Sequence, residues 1–457
     1  MLEAGSPLRV FRTSPSGLAL LERLERGEDP LPGDLVLVQR LVDAGAIHPL
    51  VEPRHDRLSA TTVVIPARVT NARDAERLVR LVQAVAPMLT IVVSDASPYP
   101  MPHLPCRTIV HDTRGGPGAA RNTGLAEATT DHVAFLDLDV FVSCDDLAAL
   151  LGHLDDSRTA LVAPRVRSAN GTGVLARYER VRSPLDRGPD EGLVRPGSRV
   201  PWVPSAVLVC RTAALRAVGG FDRSLWAGED VDLAWRLGDA GWRCRYAPEI
   251  KCDHEPRGDL TAFIAQRFRD GRSTSPLSRR HSVRLAPVSM SWFEAGWWLI
   301  AATWTPLVLL AGLATTTVRL ARRLDERGVP RQSCRLAVAS LARSARHLAR
   351  AVARPWLPLL LVLALGSRRA RRIVAAAVLI PPLIDWWRTT PSLDPVRFTA
   401  ISVIDDVSHA TGIAAGATID RNARPVLPHL RARPTSRRVT PTSPTTVPDA
   451  HRYGEQT

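Results

Sequence analysis

The chain has 457 residues, 45% of them hydrophobic, which gives room for two or three domains and excludes a mostly disordered protein. Lys and Arg number 60 against 45 acids, a net charge of +15, so an acidic partner is expected: nucleic acid, anionic lipid or a phosphorylated substrate. The 6 cysteines are scattered and form no C-x-x-C pair, which argues against a zinc site or a disulfide framework and for reduced thiols.

Residues 1–57 read as a small unit of their own: an extended VFRTS, a helical SGLALLERLERGE, a proline-broken PLPGD and a second amphipathic helix, LVLVQRLVDAGAIHPL. Leu35, Leu37, Val38, Leu41, Val42 and Ile47 recur at helical spacing, and Gly45 suits a helix C-cap. The unit resembles a truncated winged-helix module of the type that recognises leader peptides; a helical appendage packed on the next domain fits the same pattern. The chain does not open on a basic region followed by an apolar core, so no secretory signal is expected.

From Thr61 the texture alternates. TTVVIPAR, MLTIVVSDAS, CRTIVHD and DHVAFLDLDV read as strands. NARDAERLVRLVQAVAP is an amphipathic helix with Leu78, Leu81, Val82 and Val85 on one face, and GPGAARNTGLAEAT a glycine-punctuated turn entering a helix. The alternation predicts an α/β domain with a parallel sheet and helices on both faces. DDLAALLGHL follows as a helix and TALVAPRV as a strand. SPLDRGPDEGLVRPGS, too rich in Pro, Gly and charge for a core, is expected to be a mobile loop. GGFD then makes a turn, and Glu229-Asp230 open the helix DVDLAWRLGDAG.

In an open α/β sheet, ligands bind beyond the carboxyl ends of the strands. Asp95, Asp137 and Asp139 stand at such ends, and the last two could hold a divalent cation against a diphosphate. A helix N-cap or a solvated loop is the plainer account of the Asp137-Leu138-Asp139 triplet. Gly116, Gly118, Ala119 and Ala120 permit close backbone approach to a nucleotide. Glu229, Asp230 and Asp232 either stabilise a helix dipole or supply a general base.

In order and spacing, VVIPAR, SDAS, GPGAARNTGLAEA, LDLD and GEDVDLAWRL resemble the motifs of the family 2 inverting glycosyltransferases of the GT-A, Rossmann-like fold, over residues 60–285. With the N-terminal unit, the C-terminal apolar region and DPVRFTAISVIDDVSHATGIAAGA, the pattern is similar to the mycofactocin system glycosyltransferases, a family understood to add β-linked glucose to a redox cofactor made from a ribosomal peptide. The resemblance implies a UDP-sugar donor, UDP-glucose foremost, the mycofactocin precursor as acceptor, and Mg2+ or Mn2+. It implies Pro66 and Arg68 at the nucleotide end of the first strand, Asp95 as the uracil contact, and Arg121 and Asn122 as the turn that positions the donor. Asp137 would face the ribose, and Asp139 would bind the metal with His254 as a further ligand. Asp230 would be the base, with Glu229 its partner in the acidic pair. Where the family usually carries two adjacent aspartates, this chain has Ser94 and Asp95. Residues 266–272, QRFRDGR, match the Gln-x-x-Arg-Trp element of processive members at Gln266 and Arg269 and lack the Trp, so long-chain processivity is not expected. A lipid-phosphate or polysaccharide acceptor is the alternative. A basic nucleic-acid-binding or scaffold protein would leave Asp95, Asp137, Asp139 and Asp230 unexplained.

Residues 286–390 are apolar and arginine-rich. Trp297 to Val318 carries no charge over 22 residues, about 33 Å as a helix. Arg279, Arg280 and Arg284 precede it and Arg319, Arg322 and Arg323 follow, so a single crossing would violate the positive-inside tendency. The shorter apolar runs 356–366 and 373–387, separated by Arg368, Arg369, Arg371 and Arg372, suit a hairpin or helices lying on an anionic membrane surface. The expectation is a protein of the cell membrane, with its active site on the cytoplasmic side and no nucleic-acid partner. Residues 391–425 form a C-terminal segment, and 426–457, rich in Pro, Thr, Ser and Arg, a disordered tail. Which hexose, how many, and the oligomeric state are not written in these motifs.

Overall fold

The N-terminal residues build a hairpin, β1 (Leu2–Ala4) and β2 (Arg9–Phe11), and two helices, α1 (Pro15–Glu25) and α2 (Leu35–Ala44). Ser14 caps α1 by accepting from the Gly17 N–H, and Gly45 ends α2 at φ 66°, a left-handed conformation that favours glycine. This piece is not separate. Arg195 donates to the carbonyls of Ser6 (2.6 Å) and Asp43 (2.7 Å), and Arg243 to the Asp43 carboxylate (2.9 Å), clamping the N-terminal helices to the main domain.

The apolar runs from Thr61 onward become β3 (Thr61–Ala67), α3 (Ala72–Ala84), β4 (Leu89–Asp95), β5 (Arg107–His111), α4 (Pro117–Glu127), β6 (His132–Leu136) and β7 (Val140–Phe141). Next come α5 (Cys144–Gly152), β8 (Thr159–Ser168), α6 (Val174–Arg182), β9 (Gly192–Leu193), β10 (Val207–Arg211), α7 (Thr212–Ala217), α8 (Glu229–Asp239), β11 (Arg243–His254) and α9 (Leu260–His281). The strands form one sheet in the order β5-β4-β3-β6-β10-β8-β11-β7, with β9 paired to β11. From β5 to β6 the sheet is parallel, as the alternation predicts. Beyond β6 it is mixed: β10 runs antiparallel to both β6 and β8, and β11 parallel to β8. The expected parallel sheet therefore holds only from β5 to β6 and is corrected beyond it, where β10 enters between β6 and β8 in the opposite direction. Apolar layers cover both faces: Leu78, Leu81, Leu147 and Leu151 on one, Leu125, Phe221, Leu233 and Trp235 on the other.

The Pro- and Gly-rich stretch between α6 and β10 also departs from expectation. Asp186 takes a two-pronged bond from Arg165 (2.8 and 2.9 Å), Tyr246 donates to the Gly188 carbonyl (2.7 Å), and β9 joins the sheet. Its composition disfavours a core but leaves polar groups that tie it to one.

The structure, a computed structural model, describes residues 2–431 apart from 8, 12, 257, 304–310, 313, 320–321 and 323–329. Two compact units emerge: residues up to 285 with 349–426, and 286–348 with the chain from 427. The segment expected as 391–425, and part of that expected as 286–390, thus return to the sheet-bearing unit. There the helix Pro395–Ile419 crosses α9 at paired glycines. A Cβ on Gly271 would stand 2.1 Å from the His409 carbonyl oxygen, and one on Gly412 2.1 Å from that of Phe268, so only glycine lets the backbones approach this closely. Helices Leu357–Gly366 and Arg368–Thr389 follow each other as a hairpin whose apolar side chains stay outside, Leu365 at 83% and Trp387 at 73% exposure.

The second unit pairs Ser289–Ser291 in parallel with His429–Arg431 and continues into helix Trp292–Thr303, where the Ser291 hydroxyl accepts from the Glu294 N–H. The charge-free stretch Trp297 to Val318 lies partly outside the described residues, as does most of the expected tail. Among the described residues no single helix is long and apolar enough to cross a membrane.

Candidate active site

A cleft of about 520 Å³ opens at the carboxyl ends of β3, β4 and β6. Pro66 and Arg68 line it from β3, Asp95 from β4, Asp137 and Asp139 from the turn after β6, Arg121 from α4 and Glu229 from the start of α8. Arg114 and Ser205 also line it.

Asp95 is buried, and its two oxygens accept from the Gly115 N–H (2.7 Å) and the Gly116 N–H (3.0 Å). Gly116 takes φ 83°, which turns the chain into α4. The carboxylate therefore shapes the glycine turn while bordering the cleft. Ser94, in the place of the family's first aspartate, is buried and donates to Ser97 (2.9 Å).

Arg121 is 2% exposed and joins the two halves of the site. Its Nη2 donates to Asp137 Oδ1 (2.6 Å) and its Nη1 to Glu229 Oε1 (2.8 Å). Burial alone would depress this guanidinium, but the two carboxylates outweigh it and hold its pKa above the usual value. Asp137 is raised as well, but here burial is the cause: burial and the nearby Asp139 charge raise its carboxyl in spite of Arg121. Glu229 is buried and committed to Arg121 in this way.

Asp139 and His254 come together because β11 pairs with β7: His254 is in register with Val140, and the Glu255 N–H donates to the Asp139 carbonyl (2.9 Å). The His254 Nε2 lies 2.9 Å from Asp139 Oδ2. Among the described residues no group of three or more His, Cys or acidic side chains is placed to hold a metal ion. Two half-buried donors, one carboxylate and one imidazole, fit a cation that takes its remaining ligands from water and a substrate diphosphate.

Asp230 is half-buried one residue into α8. Its Oδ1 accepts from the Val231 N–H (2.7 Å) and its Oδ2 from the Ser205 N–H (3.3 Å). Burial first, and then the charge of Glu229, push its carboxyl up to about 7, where a carboxylate is a competent proton acceptor. Asp232, two residues on, has a different task. It is fully buried, meets His281 (2.9 Å), Arg236 (2.7 Å) and Arg280 (3.1 Å), and is held down at about 2 despite burial. It ties α8 to α9.

Asn122 is not brought to the cleft. Its carboxamide donates to the Phe221 carbonyl (2.6 Å) and accepts from the Phe221 N–H (2.8 Å), which fixes the turn ahead of α8. Ser205 escaped the sequence reading because its contribution is a backbone N–H. Arg114, whose guanidinium lies 5.1 Å from the Trp226 ring centroid, carries no local signal beyond its place before the glycine turn.

Comparison with known proteins identifies the family. Residues 132–387 match the family model described as "Glycosyl transferase family group 2", and residues 67–196 that of the "MobA-like NTP transferase domain". The pre-mycofactocin glycosyltransferase of Mycobacterium tuberculosis is 37% identical over 451 residues, 94% of each chain. The N-acetylglucosaminyl-diphospho-decaprenol L-rhamnosyltransferase of the same species is 30% identical over 149 residues, 32% of this chain and 45% of that one. Among solved structures, the mannosyltransferase PcManGT from Pyrobaculum calidifontis, in complex with GDP-Man and Mn2+, is similar at 17% identity and a TM-score of 0.42, covering 87% of this chain and 97% of that one. The chain is a family 2 glycosyltransferase and belongs to the pre-mycofactocin glycosyltransferase family.

Proposed function

We propose that this glycosyltransferase moves a hexose, glucose from UDP-glucose foremost, onto the mycofactocin precursor with inversion at the anomeric carbon. The observation that carries the reading is the chain Asp137–Arg121–Glu229, which sets the strand-end acids and the base-bearing helix around one cleft. The acceptor is taken from the relative that matches over 94% of its length.

In this reading the acceptor hydroxyl gives its proton to Asp230 as its oxygen forms a bond to the anomeric carbon. The bond from that carbon to the diphosphate breaks on the opposite face, and UDP leaves with the electron pair. One displacement turns an α-linked donor into a β-linked product and needs no enzyme nucleophile. A divalent cation held by Asp139 and His254 would offset the charge on the leaving diphosphate. Asp95 keeps the glycine turn open for the base and ribose, and Arg68 and Arg114 add positive charge at the mouth. The exposed apolar hairpin and its arginines support a place on the cytoplasmic face of the membrane.

The test is incubation with UDP-glucose, Mn2+ and pre-mycofactocin, read by mass spectrometry. Hexose increments that vanish with EDTA are expected; no increment with any UDP-hexose would overturn the proposal.

A further inference from the structure

Arg187, in the tied-down stretch between α6 and β9, lies with its guanidinium carbon 4.3 Å from the Trp202 ring centroid. Its Nε is buried without a hydrogen-bond partner, and among the described residues its guanidinium enters no hydrogen bond or ion pair. The groups beside it are committed elsewhere: Asp186 to Arg165, and the Tyr246 hydroxyl to the Gly188 carbonyl. Burial, and with it the Arg350 charge, pushes its pKa down against the opposing pull of Tyr246, Asp186 and Asp230. Arg187 is half-buried, with its Nε shut off from solvent and unpaired, an arrangement that works against folding unless the remaining N–H groups gain from what they bind.

Its position indicates which ligand. Trp202 and Ser205 belong to one short segment, and the Ser205 N–H holds Asp230 at 3.3 Å. Arg187 stands close enough to Asp230 to feel its charge, yet it does not line the cleft that Arg68, Arg114 and Arg121 share. Trp202 also packs against the apolar layer that includes Val231 and Leu233 of α8. The ring thus backs the guanidinium and leaves the N–H edge as a planar fork.

We propose that Arg187, backed by Trp202, binds the acceptor through an electron-rich oxygen (carbonyl, carboxylate or phosphate) next to the hydroxyl that Asp230 deprotonates. A stacked guanidinium presents two parallel donors to such a group. The inference rests on Asp230 being the base.

Arg187→Met and Arg187→Lys test it in the full chain, with pre-mycofactocin and a short polyprenyl phosphate as probe acceptors, UDP affinity by calorimetry and thermal melting in parallel. Arg187→Met is expected to raise the acceptor KM roughly ten- to hundredfold and Arg187→Lys less, while UDP affinity stays the same. The melting temperature of Arg187→Met is expected to hold or rise, since the change removes an unpaired buried Nε and breaks no hydrogen bond or ion pair among the described residues. An unchanged acceptor KM, or an equal loss of UDP affinity, would overturn the assignment. If the wild type glycosylates neither probe, the proposed function fails by itself. Melting then decides for Arg187: a fall marks a structural residue and overturns the inference, and a rise supports it.

Discussion

Arg121 and Glu229 lie 108 residues apart in sequence and 2.8 Å apart in the protein. With Asp137 on its other nitrogen, this one guanidinium neutralises two acids that would otherwise repel each other beside the donor cleft. Arg121→Met would leave both without their shared cation. A loss of roughly 3–5 kcal/mol in denaturant unfolding is expected, together with weaker UDP binding. A variant as stable as the wild type would show that the pairing is dispensable.

The pH dependence follows from Asp230, whose carboxyl is raised to about 7. The base works only when deprotonated, so kcat/KM should climb with pH and level off above about 7. Stability should move the opposite way. The folded form keeps a proton that the unfolded chain loses near ~4, so folding weakens as pH rises from there through about 7. Asp230→Asn should flatten that slope and be the more stable protein at alkaline pH. A rate profile that is level across neutrality would contradict this.

Much of the scaffold was legible because periodicity and burial coincide. Leu78, Leu81 and Val82 were read onto one face of α3 and are buried there, and Gly45 was read as a C-cap and is one. Sheet direction past β6 was not legible, since a strand reads alike in either direction. Composition misled at residues 183–198, where long-range bonds such as Arg165 to Asp186 restrain a stretch that has no core of its own. At the site, strand-end position found Asp95, Asp137 and Asp139, but spacing could not show that Asn122 turns toward Phe221 or that Asp230 leans on a backbone N–H from Ser205.

Asp232 separates structure from chemistry within three residues of α8. Its low pKa, about 2, means that its stabilisation is present above the unfolded carboxylate value and is lost as pH falls through about 2. Asp232→Asn takes the carboxylate away from buried His281 and from Arg236 and Arg280, which keep the Val218 and Gly220 carbonyls and Asp222 respectively. It should destabilise by roughly 3–5 kcal/mol and still bind UDP. Loss of UDP binding in a variant that melts normally would place Asp232 in the site instead.

The apolar hairpin predicts lipid binding. Full-length protein should sediment with vesicles containing phosphatidylglycerol, less with neutral vesicles, and release as salt rises. Replacing Arg368, Arg369, Arg371 and Arg372 with Gln should remove the preference for anionic lipid. Equal partitioning of wild type and variant would argue that these arginines do not face lipid.

Asp230→Asn offers the most direct test of the account. With UDP-glucose, Mn2+ and pre-mycofactocin, the variant should show no hexose increment by mass spectrometry while calorimetry gives a UDP affinity equal to that of the wild type. Transfer at the wild-type rate would contradict the assignment of Asp230 as the base.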